Sequence, residues 1–365
     1  MNINFRISTS ALLIAGLALS AACLSCSGEK PVRKSTFVMG TRATISIFGL
    51  GAEDAEEAAG KAFHELHRLE QMMSTWNPES EITELNSSPE APVRLSGELI
   101  ELIDISKQFS ALTSGAFDIT ARPLSRLWGF QDGAGSIPSD RSIRETLVRI
   151  GYEKIKIEGS AVTLPEGVNL DLGGIAKGYG VDMCVRILRQ KGVSSALIDL
   201  GGNIFAIGSP PGKKGWIVGI RNPVRTDSII GYAILRDEAV ASSGNYENFV
   251  ERDGKKFGHI IDPRTGSPVS GSIRGVTVIA PTATSADALS TSLFVLGPEE
   301  GTSLCTGISI SNPPDSLPYL RKTAEQGYLR RTGNYADAIF VTVSDHLIHY
   351  YTTGNLSGKV FLNED

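Results

Sequence analysis

The chain has 365 residues, with 35 Lys+Arg against 40 Asp+Glu for a net charge of −5, and 41% of its residues are hydrophobic. That is ordinary globular composition, with enough apolar material for a large core without disulfide staples. The mildly acidic balance lacks Lys/Arg blocks and argues against nucleic-acid binding, and the dispersed glycines and prolines exclude collagen-like or low-complexity chains.

Residues 1–22 read as a signal peptide, with a single charge at Arg6 followed by the apolar run Ala11–Ala22. That run is too short for a permanent membrane span. Small residues precede Cys23 as in the lipobox of bacterial lipoproteins, so lipidation is expected at Cys23, with Cys26 the other position, and residues 23–34 read as a lipidated tether. A catalytic domain is expected over 35–365. Cys184 and Cys305 lack metal or redox spacing and are expected to be buried thiols.

In chain order, 35–48 has the β-branched content of a strand and 53–73 the periodicity of a helix. The stretch 74–82 is a polar turn, and 97–113 is a second helix with Leu99, Leu102, Ile103 and Phe109 on its apolar face. A Gly/Ser/Pro cluster at 132–140 suggests a seam near 138–141. Short strands follow at 154–157, 196–200, 216–220 and 276–279, with helices after Gly178 and Ser285 and a closing strand at 338–343. The expected class is α+β, with mixed sheets flanked by helices.

Four segments have the composition of a site. In the first, a strand is expected to end at Asp171, followed by Gly173-Gly174 and a helix with Lys177 in or near its first turn, a junction suited to a phosphate. It is neither a Walker A loop nor a dinucleotide fingerprint, and a purely structural turn is the alternative. The second, Asp199-Leu-Gly-Gly-Asn203, again ends a strand in paired glycines. The third, around His259 and Asp262, sets a histidine beside an Asp-Pro turn as a general-base choice. In the fourth, Thr284 or Ser285 caps a helix on which Asp287 and Thr291 lie four apart, hard oxygen donors suited to Mg²⁺ or simply a polar helix start.

Taken in order, Met39-Gly-Thr41, 74–82, Gly115-Ala-Phe-Asp118, 171–179, 199–203, 259–266 and 286–291 closely resemble the FAD:protein FMN transferase family. The resemblance implies a flavin transferase-like fold, with the FAD site in a cleft between two α+β subdomains. It also implies an outward-facing, lipid-anchored enzyme in the periplasm or at the cell exterior. Such an enzyme cleaves FAD, passes FMN to a threonine hydroxyl of a target flavoprotein and releases AMP. Its acceptors are membrane redox-complex subunits with a Ser/Thr-Gly-Ala-Thr-type sequence. By resemblance, FAD contacts fall on Met39, Trp76, Ala116, Phe117, Asp118, Asp171, Lys177 and the Ile260 or Ile261 backbone. Mg²⁺ ligands fall on Asp287, Thr291 and the Gly174 carbonyl. His259 is the expected base, with Asp262 orienting it or acting in its place. Two other activities fit the same residues: a Mg²⁺-dependent FAD pyrophosphatase, and a non-catalytic FAD-binding lipoprotein.

Overall fold

The computed structural model describes residues 30–130, 135–245, 249–252, 255–307, 318–319, 335–344, 347–354 and 356–363. The signal peptide, Cys23 and Cys26 lie outside the described residues. Strands β1 (Val32–Val38) and β2 (Thr41–Phe48) lead into helices α1 (Ala52–Met73) and α2 (Glu81–Asn86), then β3 (Val93–Arg94), α3 (Gly97–Leu112), α4 (Arg122–Leu127) and α5 (Asp140–Leu147). Next come β4 (Lys156–Glu158), β5 (Ala161–Thr163), α6 (Ala176–Gln190), β6 (Ser195–Leu200), β7 (Asn203–Ile207), β8 (Trp216–Arg221), β9 (Ile229–Leu235) and β10 (Glu238–Gly244). The chain continues through β11 (Phe249–Arg252), β12 (Lys255–Gly258), β13 (Ile261–Asp262), β14 (Ser267–Pro268), β15 (Ile273–Ala280), α7 (Ala283–Gly307), β16 (Asp337–Ser344), β17 (Leu347–Thr352) and β18 (Val360–Leu362).

The architecture is α+β. An eight-stranded antiparallel sheet runs β1-β2-β6-β7-β10-β15-β16-β17, and a three-stranded sheet, β18-β9-β8, packs against it. Strand alternation gives the large sheet two different faces. Ile45, Ile198, Phe205 and Ala241 point to one side and join Leu66, Leu69, Val181 and Leu289 of the helices in the main core. Ile204, Val240 and Ile279 point to the other and meet Trp216, Val218 and Ile220 of the small sheet. Helix α7 is broken at Gly297, whose φ of 76° is followed by Pro298.

Several expectations change here. The segment 35–48 is a hairpin rather than one strand, because Met39 and Gly40 both take positive φ (52° and 70°), the geometry of a two-residue turn. Strand β1 begins at Val32, inside the stretch read as tether, with Val32–Lys34 paired to Ile47–Ile45. No seam forms at 138–141, since α5 begins at Asp140 and its Ile143 and Leu147 pack on Leu124 and Trp128. No strand ends at Asp171: the chain there is held by a single parallel bridge, Asn169 to Ala121, and by the bond from Asp171 N–H to the Ile119 carbonyl. Cys184 and Cys305 are free and buried, as expected. Among the described residues, no helix is long and apolar enough to cross a membrane.

Candidate active site

The site is built where two helices meet end to side. Helix α6 starts at Ala176 beside the start of α7, and Gly178 allows the contact, since a Cβ there would lie 2.3 Å from the Ala283 carbonyl oxygen and 2.8 Å from Asp287 Cβ. The approach lets Gly178 N–H donate to Asp287 Oδ2 at 2.9 Å. Helix α7 is capped from outside itself. Asp182 of α6 accepts the Ala283 and Thr284 N–H groups and the Thr284 hydroxyl, while Thr282 accepts Ser285 N–H. The expected cap at Thr284 or Ser285 is therefore corrected to Thr282 with Asp182, a long-range partner that no local pattern reveals. Burial pushes the Asp182 carboxyl up to about 6, against the pull of its hydrogen bonds from Thr284 and Ala283.

From this junction Asp287 and Thr291 line a cleft of about 760 Å³. Asp287 is 5% exposed. Thr291 Oγ1 lies 3.4 Å from Ser243 Oγ, and Ser243 is bonded in turn to Ser290 at 2.8 Å. Gly174 faces the same floor, where a Cβ would meet Phe117 Cε2 at 3.1 Å and Thr291 Oγ1 at 3.8 Å. Asp171 Oδ1 accepts Gly173 N–H and so shapes the turn before α6, and Lys177 Nζ donates to the Gly173 carbonyl.

The cleft wall brings together Ala116, Phe117, Asp118, Asp171, Gly174, Lys177, His259, Ile260, Ile261, Asp287 and Thr291, drawn from four separate parts of the sequence. Asp118 plays a scaffold part: one oxygen takes the Thr120 N–H and hydroxyl, the other the Tyr152 N–H, and burial raises its carboxyl above the usual range. Three expected residues stand off the wall. Met39 occupies the β1–β2 turn, its N–H bonded to Glu70, and Asp262 has both carboxylate oxygens engaged by Arg264 at 2.9 Å. That engagement argues against Asp262 acting in place of His259. Trp76 is 71% exposed, next in sequence to Thr75, whose carbonyl accepts from the cleft residue Arg122.

Sequence reasoning missed Arg122 itself. It lines the cleft, is 7% exposed, and its Nε has no hydrogen-bond partner among the described residues; burial lowers its usually very high basicity. It also missed Thr41, Arg42, Ser242 and Thr277, which the sheet carries to the same cavity. Their local sequences are those of ordinary strands; the Arg122-Pro123 helix start was the one visible signal.

No group of three or more His, Cys, Asp or Glu side chains gathers among the described residues. The donors that do converge are a carboxylate, a hydroxyl and a glycine backbone, an all-oxygen set that fits Mg²⁺ rather than a soft transition metal.

Residues 39–310 match the family model described as the ApbE family. Relatives named FAD:protein FMN transferase include one from Treponema pallidum, 33% identical over 339 residues (87% of this chain, 93% of that protein). Another, from Escherichia coli K12, is 33% identical over 272 residues (72% and 77%). Among solved structures, the flavinyl transferase ApbE of Pseudomonas stutzeri in its apo form matches with a TM-score of 0.74 at 28% identity, covering 90% of this chain and 96% of that one. The ApbE protein of Thermotoga maritima matches with a TM-score of 0.73 at 30% identity, covering 86% and 94%.

Proposed function

The chain is an enzyme of the ApbE family, and from that premise we propose that it transfers FMN from FAD to a threonine hydroxyl of an acceptor protein and releases AMP. The observation that carries this reading is the convergence of Asp287, Thr291, Gly174 and Lys177 on one end of a cleft large enough for a dinucleotide. Phosphoryl transfer needs positioning and charge neutralisation more than covalent help from the protein. Lys177 offers a cation to the pyrophosphate, and the Gly173-Gly174 turn lets the backbone approach it without side chains in the way.

Mg²⁺ fits the Asp287, Thr291 and Gly174 oxygens, and when bound it supplies charge neutralisation at the pyrophosphate. Phe117, Ile260 and Ile261 give the cleft its apolar surface, and the exposed Trp76 offers an aromatic face for stacking. In the reaction, the threonine oxygen attacks the FMN phosphorus, a new P–O bond forms and the bond to the bridging pyrophosphate oxygen breaks. His259, on the cleft wall, takes the hydroxyl proton, and AMP leaves with the bridging oxygen. Residues 1–22 and Cys23 or Cys26 support export and lipid anchoring facing the periplasm or cell exterior, and a membrane redox-complex subunit is the expected acceptor.

The test is to incubate the chain with FAD, Mg²⁺ and a synthetic peptide carrying Ser-Gly-Ala-Thr, and to follow peptide mass and AMP. The expected result is a peptide gain equal to FMN with one AMP per transfer; free FMN with no peptide gain would replace the transferase with a pyrophosphatase. His259→Ala should lower transfer at least about a hundredfold with FAD affinity retained, and an unchanged rate would remove His259 from the mechanism.

A further inference from the structure

The large sheet has a notch in it. Strands β6 and β7 are joined by the two-residue turn Gly201-Gly202, with φ of 59° and 89°, so both end at the level of Leu200 and Asn203. Strand β10 continues past that level. It pairs with β7 only through Glu238, Ala239 and Val240, whereas its pairing with β15 runs on from Ala239 to Gly244. Ala241 stands opposite Asn203, the first residue of β7, so Ser242–Gly244 carry a sheet partner on the β15 side, and on the β7 side none among the described residues. On the far side, the turn is tied to β2 by the bond from Gly201 N–H to the Arg42 carbonyl.

The notch opens into the cleft, because Arg42, Gly201, Gly202, Asn203, Ser242, Ser243 and Gly244 all line it. Two details mark it as a place for a ligand. At its root, Asn203 is 4% exposed and its Oδ1 has no hydrogen-bond partner among the described residues, a buried acceptor awaiting a donor. At its floor, a Cβ on Gly202 would meet nothing within 4 Å, so the tip of the hairpin faces open space. Along β10, alternate side chains point to opposite faces: Ser242 bonds to Thr277 on one, and Ser243 reaches Thr291 on the other. A chain laid along this edge therefore presents every second side chain to the Asp287–Thr291 end of the cleft.

We propose that the open edge of β10, Ser242–Gly244, binds the acceptor polypeptide as an added extended strand that presents its reactive threonine toward Thr291, with Asn203 Oδ1 accepting a backbone N–H of the incoming segment. The proposal rests on the transferase reading. An unpaired strand edge supplies affinity through main-chain hydrogen bonds and leaves specificity to alternate side chains.

The experiment uses the full chain with FAD and Mg²⁺ and a peptide in which the threonine of Ser-Gly-Ala-Thr is replaced by valine, so that it binds without reacting. Backbone hydrogen exchange over Ser242–Gly244 should slow at least about tenfold on adding the peptide and not on adding FAD alone, one main-chain bond being about the energy of a tenfold change. With reactive peptides, N-methylation at successive positions should weaken transfer at one alternating set and spare the other. Asn203→Ala should raise the peptide KM about tenfold while FAD affinity stays unchanged. Absence of protection, protection by FAD alone, or N-methyl effects without alternation would each overturn the docking mode. Peptide flavinylation without strand protection would sink this proposal and leave the transferase reading intact; protection without flavinylation would do the reverse.

Discussion

Gly178 is the residue on which the site's geometry is most exposed to a small change. An alanine Cβ there would stand 2.3 Å from the Ala283 carbonyl oxygen, 2.7 Å from its carbon and 2.8 Å from Asp287 Cβ. The obstacles are helix backbone and a buried Cβ rather than a flexible tip, so the starts of α6 and α7 must part by about 1 Å to restore ordinary contact. Overpacking of this kind costs about 1–3 kcal/mol, and loss of the Gly178 N–H to Asp287 bond adds about 1–2 kcal/mol because the acceptor is charged. The sum, about 2–5 kcal/mol, corresponds to a fall in Tm of about 3–7 °C for a chain of this size. The functional effect should be larger, since a displacement of about 1 Å of a positioning carboxylate costs about a hundredfold in rate. Thermal unfolding and a Mg²⁺ titration of FMN transfer on Gly178→Ala measure both. A variant with the parent's Tm and Mg²⁺ dependence would refute the claim that this close approach sets the position of Asp287.

The other expectations follow from single contacts. Asp287→Asn should lower transfer at least about a hundredfold and flatten its Mg²⁺ dependence with little change in Tm, read by steady-state rates over a Mg²⁺ series. Asp182 has its carboxyl raised to about 6 from a reference of 3.8, so the unfolded chain binds fewer protons than the folded one between those values. Its contribution to stability is full below about pH 4 and is lost as pH rises through about 6. Denaturant unfolding across pH 4–6 should show this fall, and Asp182→Asn should remove it. Leu66, fully buried against α6 where Gly180 allows close packing, should cost about 2–5 kcal/mol as Leu66→Ala, with KM for FAD unchanged in the folded fraction.

What could be read along the chain was whatever local chemistry dictates. Helices α1 and α3 follow from apolar spacing, the α6 start from paired glycines before a helical run, and the buried thiols from the absence of metal spacing. The ordered set of short motifs was enough to suggest the family, because seven segments in one order carry information that none carries alone. Most of the expected site residues do meet in one cleft, although they come from positions more than a hundred residues apart.

The rest required the tertiary structure, for reasons of distance and direction. A capping rule looks within three residues, so it chose Thr284 or Ser285, whereas the carboxylate that caps α7 sits a hundred residues earlier on α6. Composition marked 35–48 as strand but carries no sign of where a chain turns, and the positive φ of Met39 is a conformation rare for that residue. Asp262 looked available because sequence shows a carboxylate and not the guanidinium that engages both its oxygens. The notch beside β10 is the clearest case: strand-forming composition is legible in sequence, but which neighbour stops short is a property of sheet order. Only there does an ordinary Ser-Ser-Gly become an open edge inside a cleft.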